Sequence, residues 1–172
     1  GHLHFGPDGY LYLALGSDSP VPRDAPSEPQ AINKGLFGGI IRIDVDLKAE
    51  NLIPNPHPAV IGNYRIPNDN PFVGSTTFNG KVINPNSVRT EYFAVGLRNP
   101  WRLSYDREAG QLWVGNNGQD LWEQVYLIKK GGNYGWSVSE GMNVFHATRQ
   151  AGPDPISPPA ADHHHSEARS IT

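Results

Sequence analysis

Two polar segments of the chain carry residue types that could do chemistry, Arg98-Asn99-Pro100 and Gly115–Asp120. In the first, the guanidinium fork of an arginine can hold a carboxylate through two hydrogen bonds, and an asparagine amide can donate and accept beside it. Pro100 keeps Asn99 extended and ends the strand before it. The pair therefore suits a flat anionic ligand. The alternative is that Arg98 pairs with a nearby aspartate and Asn99 caps a turn.

The second segment reads Gly-Asn-Asn-Gly-Gln-Asp and is rich in residues that expose backbone carbonyls and side-chain amides. Oxygen atoms of this kind are the ligands that Ca²⁺ prefers. The segment lacks the repeated acidic ligands of a helix-loop-helix calcium site. A metal loop and an ordinary turn therefore both remain open.

Three further groups of residues could take part in binding or catalysis. The four tryptophans fall within one 36-residue span, which favours core packing, with stacking on a sugar as the alternative. They are Trp101, Trp113, Trp122 and Trp136. Three consecutive histidines, 163–165, could bind a transition metal, but adjacent side chains on a Pro-rich tail point in different directions, which favours a solvated loop. Asp44 and Asp46 indicate the wet face of a strand rather than a ligand pair.

Strands must position these groups, and a repeated pattern indicates how. Phe5–Gly16 and Tyr105–Asn116 each contain an aromatic residue, a turn that ends in glycine, and an alternating strand. Gly9 and Gly110, which supply the positive φ of the two turns, are 101 positions apart. At about 40 to 50 residues per blade of a β-propeller, this distance predicts two blades.

The other elements are also short strands separated by turns. Gly39–Asp46 predicts a strand with Ile41, Ile43 and Val45 on one face and Arg42, Asp44 and Asp46 on the other. Further strands are predicted at 91–97, 102–105, 112–115 and 123–128. Segments 17–36 and 48–88 are interpreted as loop insertions, and 152–172 as an extended or disordered tail. The pattern is all-β and favours a β-propeller.

Composition excludes several classes of function. The 172 residues have a net charge of -3 without a basic patch, so nucleic acid is not an expected partner. No apolar run approaches the roughly 20 residues of a membrane span. The chain contains no cysteine, which excludes disulfides and thiolate metal sites. It begins at Gly1 and stops at Thr172 without a terminal element, which indicates a fragment of a longer protein.

Several segments, in order, resemble the soluble quinoprotein glucose/sorbosone dehydrogenases. These are six-bladed β-propellers that use pyrroloquinoline quinone (PQQ) and calcium. The segments are GHLHFGPDGYLYLALG, GGIIRIDVD, YRIPNDNPF, FAVGLRNPWRLSYD and LWVGNNGQDLWEQVYLIKKGGNYGW. The resemblance implies a fragment of a six-bladed β-propeller with long loop insertions. Residues 1–151 would form the partial propeller, and residues 152–172 a Pro/His-rich loop or inter-blade segment.

The resemblance also implies roles for the candidate residues. Arg98 and Asn99 would contact PQQ, and the backbone carbonyls of Gly118 and Gln119 would hold Ca²⁺. A second, structural calcium would lie near Tyr134, although Gln124 stands where the family usually has a glutamate.

The resemblance places the histidine that acts as general base just before Gly1. His2 and His4, in the strand that follows, are expected to be structural. Ser17-Asp18 replaces the usual Asp-containing turn, so the carboxylate that orients the base would be displaced to Asp18 or lost.

The implied parent enzyme oxidises an aldose sugar or related polyol by hydride transfer to the quinone. Its electron acceptor could be a cytochrome, and its location would be periplasmic or extracellular. The fragment alone is expected to be inactive, because an open propeller has an incomplete site. The alternative is a non-catalytic β-propeller that binds a protein or a glycan through its loops.

Overall fold

The computed structural model describes residues 1–17, 28–58, 62–149, 155–168 and 170. These residues form strands and turns with two short 3₁₀ segments, Glu28–Gln30 and Pro85–Ser87, and no α-helix. None of the described residues belongs to a helix long and apolar enough to cross a membrane. The strands are β1 (Leu3–Phe5), β2 (Leu11–Leu15), β3 (Gly39–Ile43), β4 (Thr77–Phe78), β5 (Lys81–Val82), β6 (Tyr92–Val95), β7 (Pro100–Asp106), β8 (Gln111–Asn116), β9 (Trp122–Ile128), β10 (Ser139–Glu140), β11 (Asn143–Val144) and β12 (Ala161–His164).

Two four-stranded antiparallel sheets make up the fold, in the orders β1-β2-β3-β6 and β12-β9-β8-β7. Two small hairpins, β4-β5 and β10-β11, accompany them. The repeated pattern supplies the first two strands of each sheet. Its turn glycines, Gly9 and Gly110, have φ of 79° and 68°, a conformation that side chains with a Cβ rarely adopt. The architecture is that of a β-propeller fragment, as the sequence predicts.

The two repeats are separated by one blade rather than by the two that their spacing predicts. The repeats start consecutive sheets, and no further four-stranded sheet lies between them in the described residues. The distance of 101 positions is long because the segment between β3 and β6 is an insertion that carries the β4-β5 hairpin. One blade plus this insertion accounts for the spacing.

The core consists of two clusters on opposite faces of the first sheet. Tyr12 and Ala14 of β2 face the second sheet and pack with Leu103 and Val114. The alternate residues Leu11, Leu13 and Leu15 contact the other cluster, which contains Ile66, Phe72 and Val88 of the insertion. The insertion therefore covers one face of the first sheet rather than forming a free loop.

Strand β3 differs from the expected half-wet strand. Arg42 and Asp44 are buried, with 5% and 0% of their surface exposed, whereas Val45 is exposed. The reason is that β3 lies between β2 and β6, and the insertion supplies polar partners on the face predicted to be wet. Arg42 forms ion pairs with Asp8 at 2.8 Å and with Asp69 at 2.7 Å.

Asp44 accepts hydrogen bonds from the amides of Asp46 (3.0 Å) and Lys48 (2.8 Å) and from Asn51 Nδ2 (2.9 Å). Burial raises the pKa of Asp44, but the hydrogen bonds from Asn51, Lys48 and Asp46 outweigh it and hold the pKa below the usual value. The ionised carboxylate is thus the form that the fold stabilises.

Replacing Asp44 with alanine is expected to lower the free energy of unfolding by about 3 kcal/mol, because hydrogen bonds to a charged acceptor contribute about 1.5–3 kcal/mol each and some of the freed donors regain water. Chemical denaturation of the full-length protein measures the loss, with the exposed Asp46→Ala as matched control. Because the pKa of Asp44 is depressed, the difference in unfolding free energy between the wild type and the variant has its full size at neutral pH. It shrinks as the pH falls below about 4 and the carboxylate becomes protonated. Equal losses of unfolding free energy for Asp44→Ala and Asp46→Ala would contradict the stabilising role of the Asp44 carboxylate.

Two of the three histidines, His163 and His164, lie in β12, the outer strand of the second sheet, rather than in a solvated loop. Its pairing with β9 sets His163 opposite Glu123 and His164 opposite Trp122. His165, just beyond the strand, places Nε2 2.6 Å from Glu123 Oε1. No group of three or more histidine, aspartate or glutamate side chains converges as a metal site among the described residues. The strand that contains His163 and His164 therefore pairs with β9 and forms the edge of the second sheet.

Candidate cofactor and cation site

Three chain segments meet at one rim of the two sheets. The amide of Ser17, after β2, donates to Arg98 O at 2.7 Å. The amide of Asn117, after β8, donates to Asn99 O at 3.0 Å, and Asn99 N donates to Asn116 Oδ1 at 3.0 Å. These bonds continue the β7-β8 pairing past Pro100, which has no N–H to donate. The corner at residues 98–99 and the loop at residues 117–121 are thereby fixed side by side.

The guanidinium of Arg98 faces the oxygen atoms of that loop. Its Nε donates to Gln119 Oε1 at 2.7 Å, and its Nη1 donates to Gly118 O at 2.5 Å and to Asn117 O at 3.2 Å. Three oxygens from three consecutive residues thus converge on one cationic group. Arg98 forms no ion pair within 4.0 Å among the described residues, so the alternative in which it pairs with a nearby aspartate is not what the structure contains.

Burial lowers the pKa of Arg98, and the charges of Glu140, Glu123 and Asp120 act in the opposite direction. The guanidinium is therefore partly stripped of water, and no carboxylate of the described residues is in direct contact with it. Such a group gains strongly from an anionic partner, because charge-assisted hydrogen bonds are stronger where the effective dielectric constant is low. The corner is electrostatically suited to an anion.

Asn99 borders an open cavity of about 290 Å³ that is lined by Asn99, Trp101, Asn117 and Ser170. Trp101 is 40% exposed, whereas Trp136, whose ring centroid lies 5.9 Å from Arg98 Cζ, is 4% exposed. The tryptophans thus divide: Trp136 packs beneath the arginine, and Trp101 leaves part of its indole accessible beside the amides.

The donor set fits a hard cation in ligand type. Neutral carbonyl and amide oxygens suit Ca²⁺, and in this structure the same oxygens surround a cation, the guanidinium. A metal ion on Gly118 O and the present position of Arg98 disfavour each other, because both use that carbonyl and both are positive. Holding a metal requires Arg98 to turn away from the loop, and a guanidinium turned away is free to hold a carboxylate.

Glu140 is a site residue that the sequence alone does not indicate. It is 5% exposed, and its Oε1 accepts from the amides of Gln119 and, at 2.8 Å, of Asp120, while Oε2 accepts from the amide of Leu121 at 3.1 Å. Gly118 leaves the room for this carboxylate, since a Cβ there would lie 2.7 Å from Glu140 Oε1. A lone glutamate twenty residues from the loop carries no local sequence signal.

Tyr134, expected near a second calcium, lies apart from these groups. Its hydroxyl accepts from Lys129 N at 2.7 Å and donates to Leu127 O at 2.9 Å. Gln124 Oε1 accepts from Asn116 Nδ2 at 2.6 Å. Both polar groups thus have internal partners, and the second calcium stays a prediction.

The two N-terminal histidines have contacts within the fold. His2, just before β1, accepts at Nδ1 from the amide of Leu103 in β7 at 3.0 Å. His4 stacks on Tyr105 with ring centroids 6.5 Å apart. Asp18, a possible carboxylate of the site, lies outside the described residues.

Comparison with known proteins identifies the family. The family model described as "Glucose / Sorbosone dehydrogenase" matches residues 1–166. The chain belongs to this family. It is 42% identical over 153 residues to the HIPL1 protein of Arabidopsis thaliana, a match that covers 88% of this chain and 20% of that protein. It is 35% identical over 107 residues to human Hedgehog-interacting protein, covering 62% of this chain and 12% of that protein.

Solved structures of sugar dehydrogenases share the fold of this glucose/sorbosone dehydrogenase family member. The apo form of the soluble aldose sugar dehydrogenase of Escherichia coli superposes with a TM-score of 0.65 at 25% identity, covering 95% of this chain and 39% of that one. The PQQ-bound form of an aldose sugar dehydrogenase from Streptomyces coelicolor superposes with a TM-score of 0.56 at 24% identity, covering 98% and 36%. The chain spans well under half the length of these relatives.

Proposed function

We propose that this chain is part of a PQQ- and calcium-dependent dehydrogenase that oxidises an aldose sugar or a related polyol. One observation carries the proposal: the Arg98 guanidinium and the oxygens of residues 117–119 lie in contact at one rim. An anion-binding group and a cation-binding group in adjacent positions match a cofactor that has carboxylates and binds a metal. Family membership and the fold of a PQQ-bound relative support it.

In this proposal Arg98 and Asn99 would hold PQQ, and the carbonyls of Gly118 and Gln119 would hold Ca²⁺. When bound, PQQ would supply a hydride acceptor for a sugar carbon, and a metal ion on its quinone oxygen would favour that transfer. The residues of this chain bind and orient: the arginine neutralises carboxylate charge, and the loop carbonyls place a cation beside it. The general base is proposed to be a histidine that precedes Gly1, since His2 has its Nδ1 engaged.

The proposal extends to partners and location. Electrons from the sugar would pass to an external acceptor, for which a cytochrome is proposed. A periplasmic or extracellular location is proposed because quinoproteins of this family usually act outside the cytoplasm. Both points rest on the family resemblance.

The direct test is a dye-reduction assay on the full-length protein supplied with PQQ, Ca²⁺ and glucose. Dye reduction that requires all three components is expected. Residues 1–172 alone, under the same conditions, should give none, because the described residues form two four-stranded sheets and an open propeller leaves the site incomplete. Activity of the full-length protein that survives removal of both PQQ and Ca²⁺ would overturn the proposal.

A second candidate function is a non-catalytic propeller that binds a protein or glycan, and the similarity to a Hedgehog-interacting protein favours it. The two candidates differ in cofactor binding. Isothermal titration calorimetry of the full-length protein with PQQ, in the presence of Ca²⁺, distinguishes the two candidates. Micromolar or tighter binding supports the dehydrogenase, whereas no binding together with no dye reduction supports the binding module.

A further inference from the structure

Three consecutive amides of the loop at residues 117–121 point at one carboxylate. Gln119 N and Asp120 N donate to Glu140 Oε1, and Leu121 N donates to Glu140 Oε2. Glu140 comes from the short β10-β11 hairpin, in which it pairs with Asn143. A buried carboxylate that accepts three amides is a strong local constraint, because such charge-assisted hydrogen bonds are roughly twice as strong as neutral ones.

The constraint sets where the loop carbonyls point. In a planar trans peptide, the C=O of one residue and the N–H of the next point in opposite directions. With the amides of residues 119–121 directed at Glu140, the carbonyls of residues 118–120 must point away from it. The position of Gly118 O agrees, since it meets Arg98 Nη1 at 2.5 Å. The carboxylate of Glu140 thus lies on one side of the loop and the guanidinium of Arg98 on the other.

We propose that Glu140 is a positioning residue of the cation site, which fixes the carbonyls of Gly118 and Gln119 toward the ion by holding the loop amides. The inference rests on the proposed function, because it assumes that a metal ion uses these carbonyls. It adds a residue that touches neither the ion nor the substrate. Residues that orient metal ligands in this way usually affect metal affinity by about 10- to 100-fold.

The test is Glu140→Gln in the full-length protein, with metal affinity as the readout rather than sugar oxidation. An amide can present one acceptor oxygen to the amides of Gln119 and Asp120, but its NH₂ group cannot accept from Leu121. Titration with Ca²⁺ by calorimetry, and with Tb³⁺ by luminescence sensitised through nearby tryptophans, should show affinity reduced about 10- to 100-fold.

Two controls separate orientation from charge alone. Glu123→Gln removes an equal charge that also acts on Arg98. Glu123, however, contacts two side-chain groups, Asn117 Nδ2 and His165 Nε2, and accepts from none of the three backbone amides that Glu140 holds. Glu123→Gln should reduce metal affinity less than about threefold, well below the loss expected for Glu140→Gln. Glu108→Gln, in the exposed turn between β7 and β8, should have no effect. Equal losses for Glu140→Gln and Glu123→Gln would overturn the positioning role.

Hydrogen exchange of the wild-type protein gives a readout that does not depend on the folding of a variant. In the wild-type protein the amides of residues 119–121 should be protected, and in Glu140→Gln that of Leu121 should exchange fastest. Unprotected amides in the wild type would overturn the inference. Wild-type protein that binds no Ca²⁺ would remove the calcium site and this inference together, whereas normal wild-type binding with an unchanged Glu140→Gln affinity would remove only the inference.

Discussion

Replacing Arg98 with alanine is expected to weaken PQQ binding about 100-fold and, at the same time, to strengthen Ca²⁺ binding severalfold. The first effect follows from the loss of two charge-assisted hydrogen bonds to a cofactor carboxylate, worth about 3 kcal/mol together. The second follows from the present position of the side chain. Its guanidinium occupies the backbone carbonyl of Gly118 and the side-chain Oε1 of Gln119, and a positive charge at this distance repels a metal ion.

Opposite signs distinguish this prediction from simple damage to the loop. A collapsed loop would weaken the binding of both PQQ and Ca²⁺. Removal of a competing cation would weaken PQQ binding and strengthen Ca²⁺ binding. Calorimetric titrations of the full-length protein with Ca²⁺ alone, and with PQQ at saturating Ca²⁺, measure the two affinities separately. Arg102→Ala is the matched control, because Arg102 is exposed on β7, the strand that follows Arg98, and stacks on Trp101. Parallel loss of both affinities in Arg98→Ala would contradict the competition.

The rim that carries the site could be predicted because its geometry is local. The Arg98-Asn99 corner and the loop at residues 117–121 flank one hairpin, and antiparallel pairing of β7 with β8 brings Pro100 opposite Asn116. Two polar segments at the same end of paired strands must lie close together. What the sequence does not contain is the direction of the Arg98 side chain, which depends on the burial around Trp136 and on the carbonyls across the corner.

Residues that depend on long-range packing were not predictable in the same way. The alternation of β3 assumes one wet face, but the insertion packs on the first sheet and supplies Asp69 and Asn70 to Arg42. Glu140 lies in a two-residue strand with no periodicity. The neighbouring sequence therefore does not predict that its carboxylate accepts hydrogen bonds from three backbone amides. The pairing of β12 was equally hidden, because it depends on the free edge of β9 rather than on the histidines themselves.

The electrostatics of the rim have a consistent direction. Arg98 supplies a positive charge on one side of the loop carbonyls, and Glu140 supplies a negative charge on the other side of the same peptides. The peptide dipoles between them are aligned with N–H toward the glutamate and C=O toward the arginine. This alignment favours any cation at the carbonyl side, which is why the arginine can stabilise the loop when no metal ion is bound.

The glycine at position 118 allows this arrangement, and Gly118→Ala is expected to abolish it. A Cβ would lie 1.7 Å from Trp122 O and 2.7 Å from Glu140 Oε1. The first of these atoms is backbone in β9, so a rotamer change cannot relieve the contact. The loop must move away from β9, and the carbonyl directed at the cation moves with it. Metal affinity should fall at least about 100-fold, since such sites tolerate displacements of only about 0.5 Å.

The same collision should cost stability, by more than about 4 kcal/mol if the loop and the second sheet stay together. The matched control is Gly74→Ala, where a Cβ meets nothing within 4 Å and the positive φ of 73° alone is penalised, by about 1–2 kcal/mol. Thermal unfolding and Ca²⁺ titration of the two full-length variants measure both effects. A Gly118→Ala protein that fails to fold, beside a folded Gly74→Ala protein, agrees with the collision. A Gly118→Ala protein with wild-type melting temperature and metal affinity contradicts it, because no arrangement of β9 accommodates that methyl group with the carbonyl still directed at Arg98.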